Sequence, residues 1–255
     1  MPELVVAGVS QGFSRGRSKR WVQVLNGVSF EVERGEVVGI VGSRLSGKTT
    51  LLGIAAGLKV PEAGSVRLGD LELTGLSEHK RALLRGGELV WLNRVGMEQK
   101  LKVAKIIGWR LAKHRGRRAT ERRAVEMLER VGAAHCARQY WDDLSRWEQV
   151  LVGFAQAFVG EPRIIVIDDL LDALGTTWTE EASDLLRSLI EETGRNCGVL
   201  MSASDRDSVV LADRVWSLEQ GGKLRPTSGH RDRNADVLPF RPRDESEGPR
   251  RAGYS

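Results

Sequence analysis

The stretch "EVVGIVGSRLSGKTT", residues 36–50, constrains this chain more than any other. "EVVGIV" is nearly all apolar, the pattern of a strand buried on both faces. "GSRLSGKTT" fits G-x-x-x-x-G-K-[ST], and "TTLLGIAAGL" (49–58) then takes up a helical period. A strand, a Gly-containing turn and a helix in that order form a phosphate-binding loop. The backbone N–H groups of Gly42, Ser43, Arg44, Leu45, Ser46 and Gly47, with the positive end of the helix, cradle the β-phosphate. Lys48 reaches the β and γ oxygens, and the Thr49 hydroxyl is a ligand for Mg²⁺, with Thr50 beside it at the helix start. The expected ligand is therefore a nucleoside triphosphate such as ATP, with Mg²⁺.

Such a loop needs an acid at the end of a second buried strand to orient the metal. "RIIVIDD" (163–169) supplies it in Asp168. Strand patterns at 4–10, 27–42, 64–70, 87–93, 197–205 and 214–223 alternate with helical ones at 76–85, 102–114, 119–132 and 179–194. Ser77 is an N-cap candidate, and Asp143 and Ser145 are candidates for the helix that follows. The alternation predicts an α/β fold with a mostly parallel core sheet, an antiparallel N-terminal β layer and a helical subdomain over about 97–160. The folded part is expected to span 1–224. Residues 225–255, rich in Pro, Gly and mixed charge, read as a tail without fixed structure.

At 41% hydrophobic and 29% charged over 255 residues, the chain can build a sizeable core. No apolar run approaches the ~18–20 residues that span a bilayer, and no secretory signal opens the sequence. Its two cysteines, Cys136 and Cys197, read as buried thiols, and its four histidines show no metal-ligand spacing. The net charge of +5 is clustered at 15–20, 113–118, 121–123 and in the tail. These clusters read as solvated loops and helix faces rather than a nucleic-acid surface.

With the phosphate loop and Asp168 fixed, residues 3–224 resemble a nucleotide-binding subunit of an ABC transporter, a P-loop NTPase of the ABC cassette type. The segment "LTGLSEHKRALLRGGELVWLN" and the Glu-Gln of "LSRWEQ" are similar to the lipoprotein-release and macrolide-export branch. The resemblance implies further roles. An aromatic stacks on adenine, with Phe13 the best match and Trp21 the runner-up. Asn93 stands where the family has a Gln that touches Mg²⁺ and the attacking water. Ser145 belongs to the signature motif, which faces the γ-phosphate of ATP bound to the opposite subunit.

Several positions depart from the family pattern. Arg146 and Trp147 replace the two Gly residues of the signature. Asp169 replaces the catalytic Glu and Leu170 the Pro that follows. Gly175 replaces the Asp of the next loop, and Leu45 replaces a Gly of the phosphate loop. Ser204, or Ala203 in an ungapped alignment, replaces the switch His. The losses fall in one chain, so both composite sites of a head-to-tail dimer would be damaged. The expectation is a Mg-ATP-binding subunit with weak hydrolysis, working as a homodimer or with another ABC subunit. It would be coupled to an integral membrane permease of the FtsX/MacB type, on the cytoplasmic face of the cell membrane. A fully active transporter ATPase and a regulatory, non-transport cassette are the alternatives. Nucleic-acid-associated members carry two cassettes or a long coiled-coil insertion, and this chain has neither.

Overall fold

The computed structural model describes residues 2–15, 20–93, 101–109, 111, 117–170, 174, 176–193, 196–205, 209 and 211–227. Val37–Val41 (β3) is buried at every position, as its unbroken apolar run requires. It lies inside a six-stranded sheet of order β10-β9-β3-β8-β7-β6. The other members are Leu89–Asn93 (β6), Ile164–Asp168 (β7), Gly198–Ala203 (β8), Arg214–Leu218 (β9) and Leu224–Pro226 (β10). β6, β7, β8, β3 and β9 run parallel, and β10 closes the edge antiparallel to β9. β10 takes the chain past the expected end of the folded part, and the Thr227 N–H donates to Val215 O.

A second, four-stranded sheet is antiparallel, of order β2-β1-β4-β5. It comprises Leu4–Arg15 (β1), Arg20–Val32 (β2), Ala63–Leu68 (β4) and Leu71–Glu72 (β5). β1 runs well past the 4–10 stretch that reads as a strand, and β2 begins well before the 27–42 stretch. The added residues carry bulges between Val9, Gln11 and Gly12, which break the apolar alternation that marks a strand.

The helices are Lys48–Ala55 (α1), Glu78–Arg85 (α2), Val103–Trp109 (α3), Arg117–Arg130 (α4), Arg146–Phe158 (α5) and Thr176–Glu192 (α6). The Ser77 side chain accepts from Lys80 N and caps α2. Gly132, at φ 73°, ends the turn after α4. α3 covers Val103–Trp109 of the helical pattern at 102–114, and residues 110 and 112–116 lie outside the described set. Between β6 and β7, helices α3, α4 and α5 form the helical subdomain, with 3₁₀ turns at Ala134–Arg138 and Trp141–Asp143. The second turn decides the cap of α5: Asp143 belongs to it, and Ser145 is the N-cap.

Alternate residues of the parallel strands feed two apolar cores. Val37, Val41, Ile165, Ile167, Val199 and Met201 face the helical side, where Phe154 and Leu186 pack. Val38, Ile40, Ile164, Val166 and Leu200 face α1 and the antiparallel layer. Buried acids tie the layers together. Glu3 pairs with both Arg34 and Arg163, joining β1 to the start of β7. Glu36 accepts from Arg214 of β9 at 3.0 Å, and Asp213 Oδ2 accepts the Val37 N–H at 2.8 Å.

Candidate nucleotide-binding site

The parallel register places the carboxyl ends of the strands level with one another. Asn93 of β6 pairs with Asp168 of β7, while Ile167 pairs with Met201 of β8. Asp168 therefore stands beside Ser202, and the loop after β3 meets the same rim. Residues 42–47 turn there, and α1 begins at Lys48. Gly47 caps that helix at φ 107°, a backbone angle side-chain-bearing residues rarely adopt. A Cβ on Gly42 would lie 2.6 Å from the Leu218 carbonyl, so the loop passes too close to β9 for a side chain.

The predicted loop residues lie together at this rim. Lys48 Nζ donates to Gly42 O at 2.7 Å and to Ser43 O at 3.3 Å, so the ammonium lies across the mouth of the loop. Ser43, Arg44 and Thr49 are exposed, and Thr50 is half-buried. The Ser46 hydroxyl is buried and has no hydrogen-bond partner among the described residues. Leu45 adopts φ 68° with its side chain out in solvent.

Thr49 Oγ1 donates to Asp168 Oδ1 at 3.3 Å, which connects the loop to the second acidic strand. Burial pushes the Asp168 carboxyl above the usual carboxylate range, while hydrogen bonds from Ser202 and Thr49 pull it back. An acid held at that balance gains from a nearby cation. A hydroxyl and a carboxylate are the hard oxygen donors that Mg²⁺ takes. The orphaned Ser46 hydroxyl and the Lys48 ammonium, held only by two neutral carbonyls, suit a phosphate. The residues present thus fit Mg-nucleotide.

Ser202 belongs to this group, and sequence reasoning missed it. Its hydroxyl lies 2.8 Å from Asp168 Oδ1 and 3.3 Å from Asp169 Oδ1, and it accepts the Asp169 N–H at 3.1 Å. It has one proton, which the shorter contact takes. Asp169 sits at φ 49°, a left-handed conformation that Asp tolerates better than most residues. Ser204 follows directly after β8 and is exposed. Gly175 and residues 171–173 lie outside the described set, as do 94–100 after Asn93.

The remaining predicted residues stand on other elements. Phe13, on β1, is partly exposed, and Lys59 Nζ lies 5.5 Å from its ring centroid. Trp21, opposite Ser14 on β2, lays its indole across Gly12, where a Cβ would come within 2.5 Å of the ring. Ser145 heads α5 in a complete capping box with Glu148. Burial acts to raise the Glu148 carboxyl, but hydrogen bonds from Ser145 and His135 outweigh it and hold it below its usual value. Arg146 is exposed, whereas Trp147 is half-buried and packs against the core on the helical side. The bulk of Trp147 is thus used in packing.

The ABC transporter family profile matches residues 25–171, more than half of the chain. The methionine import ATP-binding protein MetN of Nocardia farcinica is 32% identical over 227 residues, covering 86% of this chain and 65% of that protein. The chain thus spans about two thirds of the length of that relative. The lipoprotein-releasing system ATP-binding protein LolD of Saccharophagus degradans is 30% identical over 230 residues, with 86% and 96% covered. Among solved structures, the dimeric bacterial ABC transporter cassette MJ0796 superposes with a TM-score of 0.78 at 24% identity. That match covers 89% of this chain and 99% of the other, and it supports the fold.

Proposed function

Because the chain belongs to the ABC transporter family of ATP-binding cassettes, we propose that it is the ATP-binding subunit of a membrane transporter, one that hydrolyses ATP slowly. One observation carries the reading: the phosphate loop runs from the end of β3 into α1, with Lys48 across its mouth and Thr49 bonded to the buried Asp168. Lys48 and the loop N–H groups hold the phosphates, and Phe13 offers a flat face to the base. Mg²⁺ bound with the nucleotide would supply charge neutralisation at the phosphates, and Thr49, Asp168 and Asn93 would hold it.

Slow turnover follows from the residues around that core. Asp169 carries the carboxylate that would take the proton of the attacking water, but on a side chain one methylene shorter than Glu. A poorly placed general base lowers the rate by about 10²–10⁴-fold. Ser204 can donate a hydrogen bond at the switch position but cannot carry the charge of an imidazolium. Arg146 and Trp147 bring side chains where a phosphate of the opposite subunit would approach backbone.

The cassette works as a homodimer or beside another ABC subunit, against a permease of the FtsX/MacB type at the inner face of the cell membrane. The lipoprotein-releasing relative, covered over 96% of its length, supports that branch. Among the described residues, no helix is long and apolar enough to cross a membrane, so the membrane-spanning part would belong to the permease.

The experiment is nucleotide binding followed by turnover on the purified chain with Mg-ATP. Lys48→Ala should weaken ATP binding at least about tenfold, a loss of roughly 1.4 kcal/mol. The unmodified protein should turn over well below about one per second, the lower end of the usual enzyme range. Unchanged binding in Lys48→Ala would remove the nucleotide site. Turnover of several per second would make this an ordinary transporter ATPase.

A further inference from the structure

A second cluster lies at the foot of α5, and it plays no part in the nucleotide site. His135 and Cys136 are neighbours in the 3₁₀ turn Ala134–Arg138, and Glu148 is in the first turn of α5. The two oxygens of Glu148 have different tasks. Oε2 accepts the Ser145 N–H at 2.6 Å and closes the capping box. Oε1 faces the other way, 2.8 Å from His135 Nε2 and 3.7 Å from Cys136 Sγ.

The imidazole nitrogen, the thiol sulfur and this carboxylate oxygen all lie within 4.8 Å of one another. Donor atoms around a tetrahedral ion at ~2.0–2.3 Å stand about 3.3–3.8 Å apart, so small side-chain shifts suffice to close on an ion. The exposures are graded. Cys136 is fully buried, the Glu148 side chain is 21% exposed and the His135 side chain 40%, so the thiol forms the floor and the imidazole the solvent side. A mixed sulfur, nitrogen and oxygen set selects a borderline-soft ion over Mg²⁺ or Ca²⁺.

We propose that His135, Cys136 and Glu148 form a binding site for a divalent cation of the zinc type, with water completing a four-coordinate shell. The His135–Glu148 hydrogen bond gives way to two bonds to the ion, the imidazole carrying its proton on Nδ1 so that Nε2 can coordinate. The Cys136 S–H proton is released to solvent as the thiolate coordinates, with no change of oxidation state. Oε2 keeps its bond to Ser145, so the ion ties the 3₁₀ turn to the turn that begins the signature helix.

The test uses the full chain, free of nucleotide, titrated with Co²⁺ and then with Zn²⁺. Binding at the cluster should give a thiolate-to-cobalt charge-transfer band and the visible bands of four-coordinate cobalt, both removed by Zn²⁺. The nucleotide site offers only oxygen donors and cannot produce the sulfur band. Cys136→Ser should abolish that band, and His135→Ala, a change on the exposed side, should weaken Zn²⁺ binding at least about tenfold. If Cys136→Ser does not fold, His135→Ala decides the matter alone. Absence of the charge-transfer band in the folded parent, or a band and affinity unaltered by His135→Ala, overturns the proposal.

Discussion

Leu45 is the residue whose conformation most plainly disagrees with its chemistry. It holds φ 68° with a side chain 82% exposed, so no packing rewards the strain. A left-handed L-residue costs about 1–2 kcal/mol, and the added freedom of glycine in the unfolded chain returns about half of that. Leu45→Gly should therefore stabilise the protein by about 0.5–1 kcal/mol, read as a rise of roughly 1–4 °C in Tm by calorimetry. Lys48, Thr49 and Asp168 were legible because the loop is contiguous and the acid ends an apolar run. Ser202 was not: a Ser between Met201 and Ala203 has no signature, and its reach to Asp168 and Asp169 exists only through the β7–β8 register. The cluster at His135 was hidden for the same kind of reason, since its third ligand comes from a different element and only folding supplies it.

Among the elements, α5 has its start written in sequence. Ser145 and Glu148 are the S-x-x-E of a capping box, and both of its bonds are present. Ser145→Ala should lower stability by about 1 kcal/mol in denaturant titration, with the slope of the transition unchanged. The strands of the parallel sheet were equally plain, because burial on both faces leaves an unbroken apolar run. β1 and β2 were read too short. Their outer ends pair through Gln11↔Leu25 and Phe13↔Val22 past bulges, with Phe13 and Val22 exposed, so no apolar face marks them. The helical pattern of α3 continues past Trp109 into residues outside the described set. Within α3, a Cβ on Gly108 would lie 3.5 Å from the Thr120 carbonyl, so the helix runs close to α4 there.

At the scale of the molecule, buried ion pairs fasten strands that are distant in sequence. Glu36 is 1% exposed and takes two nitrogens of Arg214, 178 residues away. Arg214→Ala would take the cation from that buried carboxylate, which keeps the Glu33 N–H bond, a change that costs about 3 kcal/mol. Chemical denaturation should record the loss, and Arg214→Lys should recover part of it. The sheet joined by that pair serves both cores at once, Val38 and Ile40 on one side and Val37 and Val41 on the other. The nucleotide loop hangs from the end of the same strand. The chain accordingly has no spare partition: loosening either side of the wall removes the support of the loop, and occupancy of the loop stiffens both rooms together.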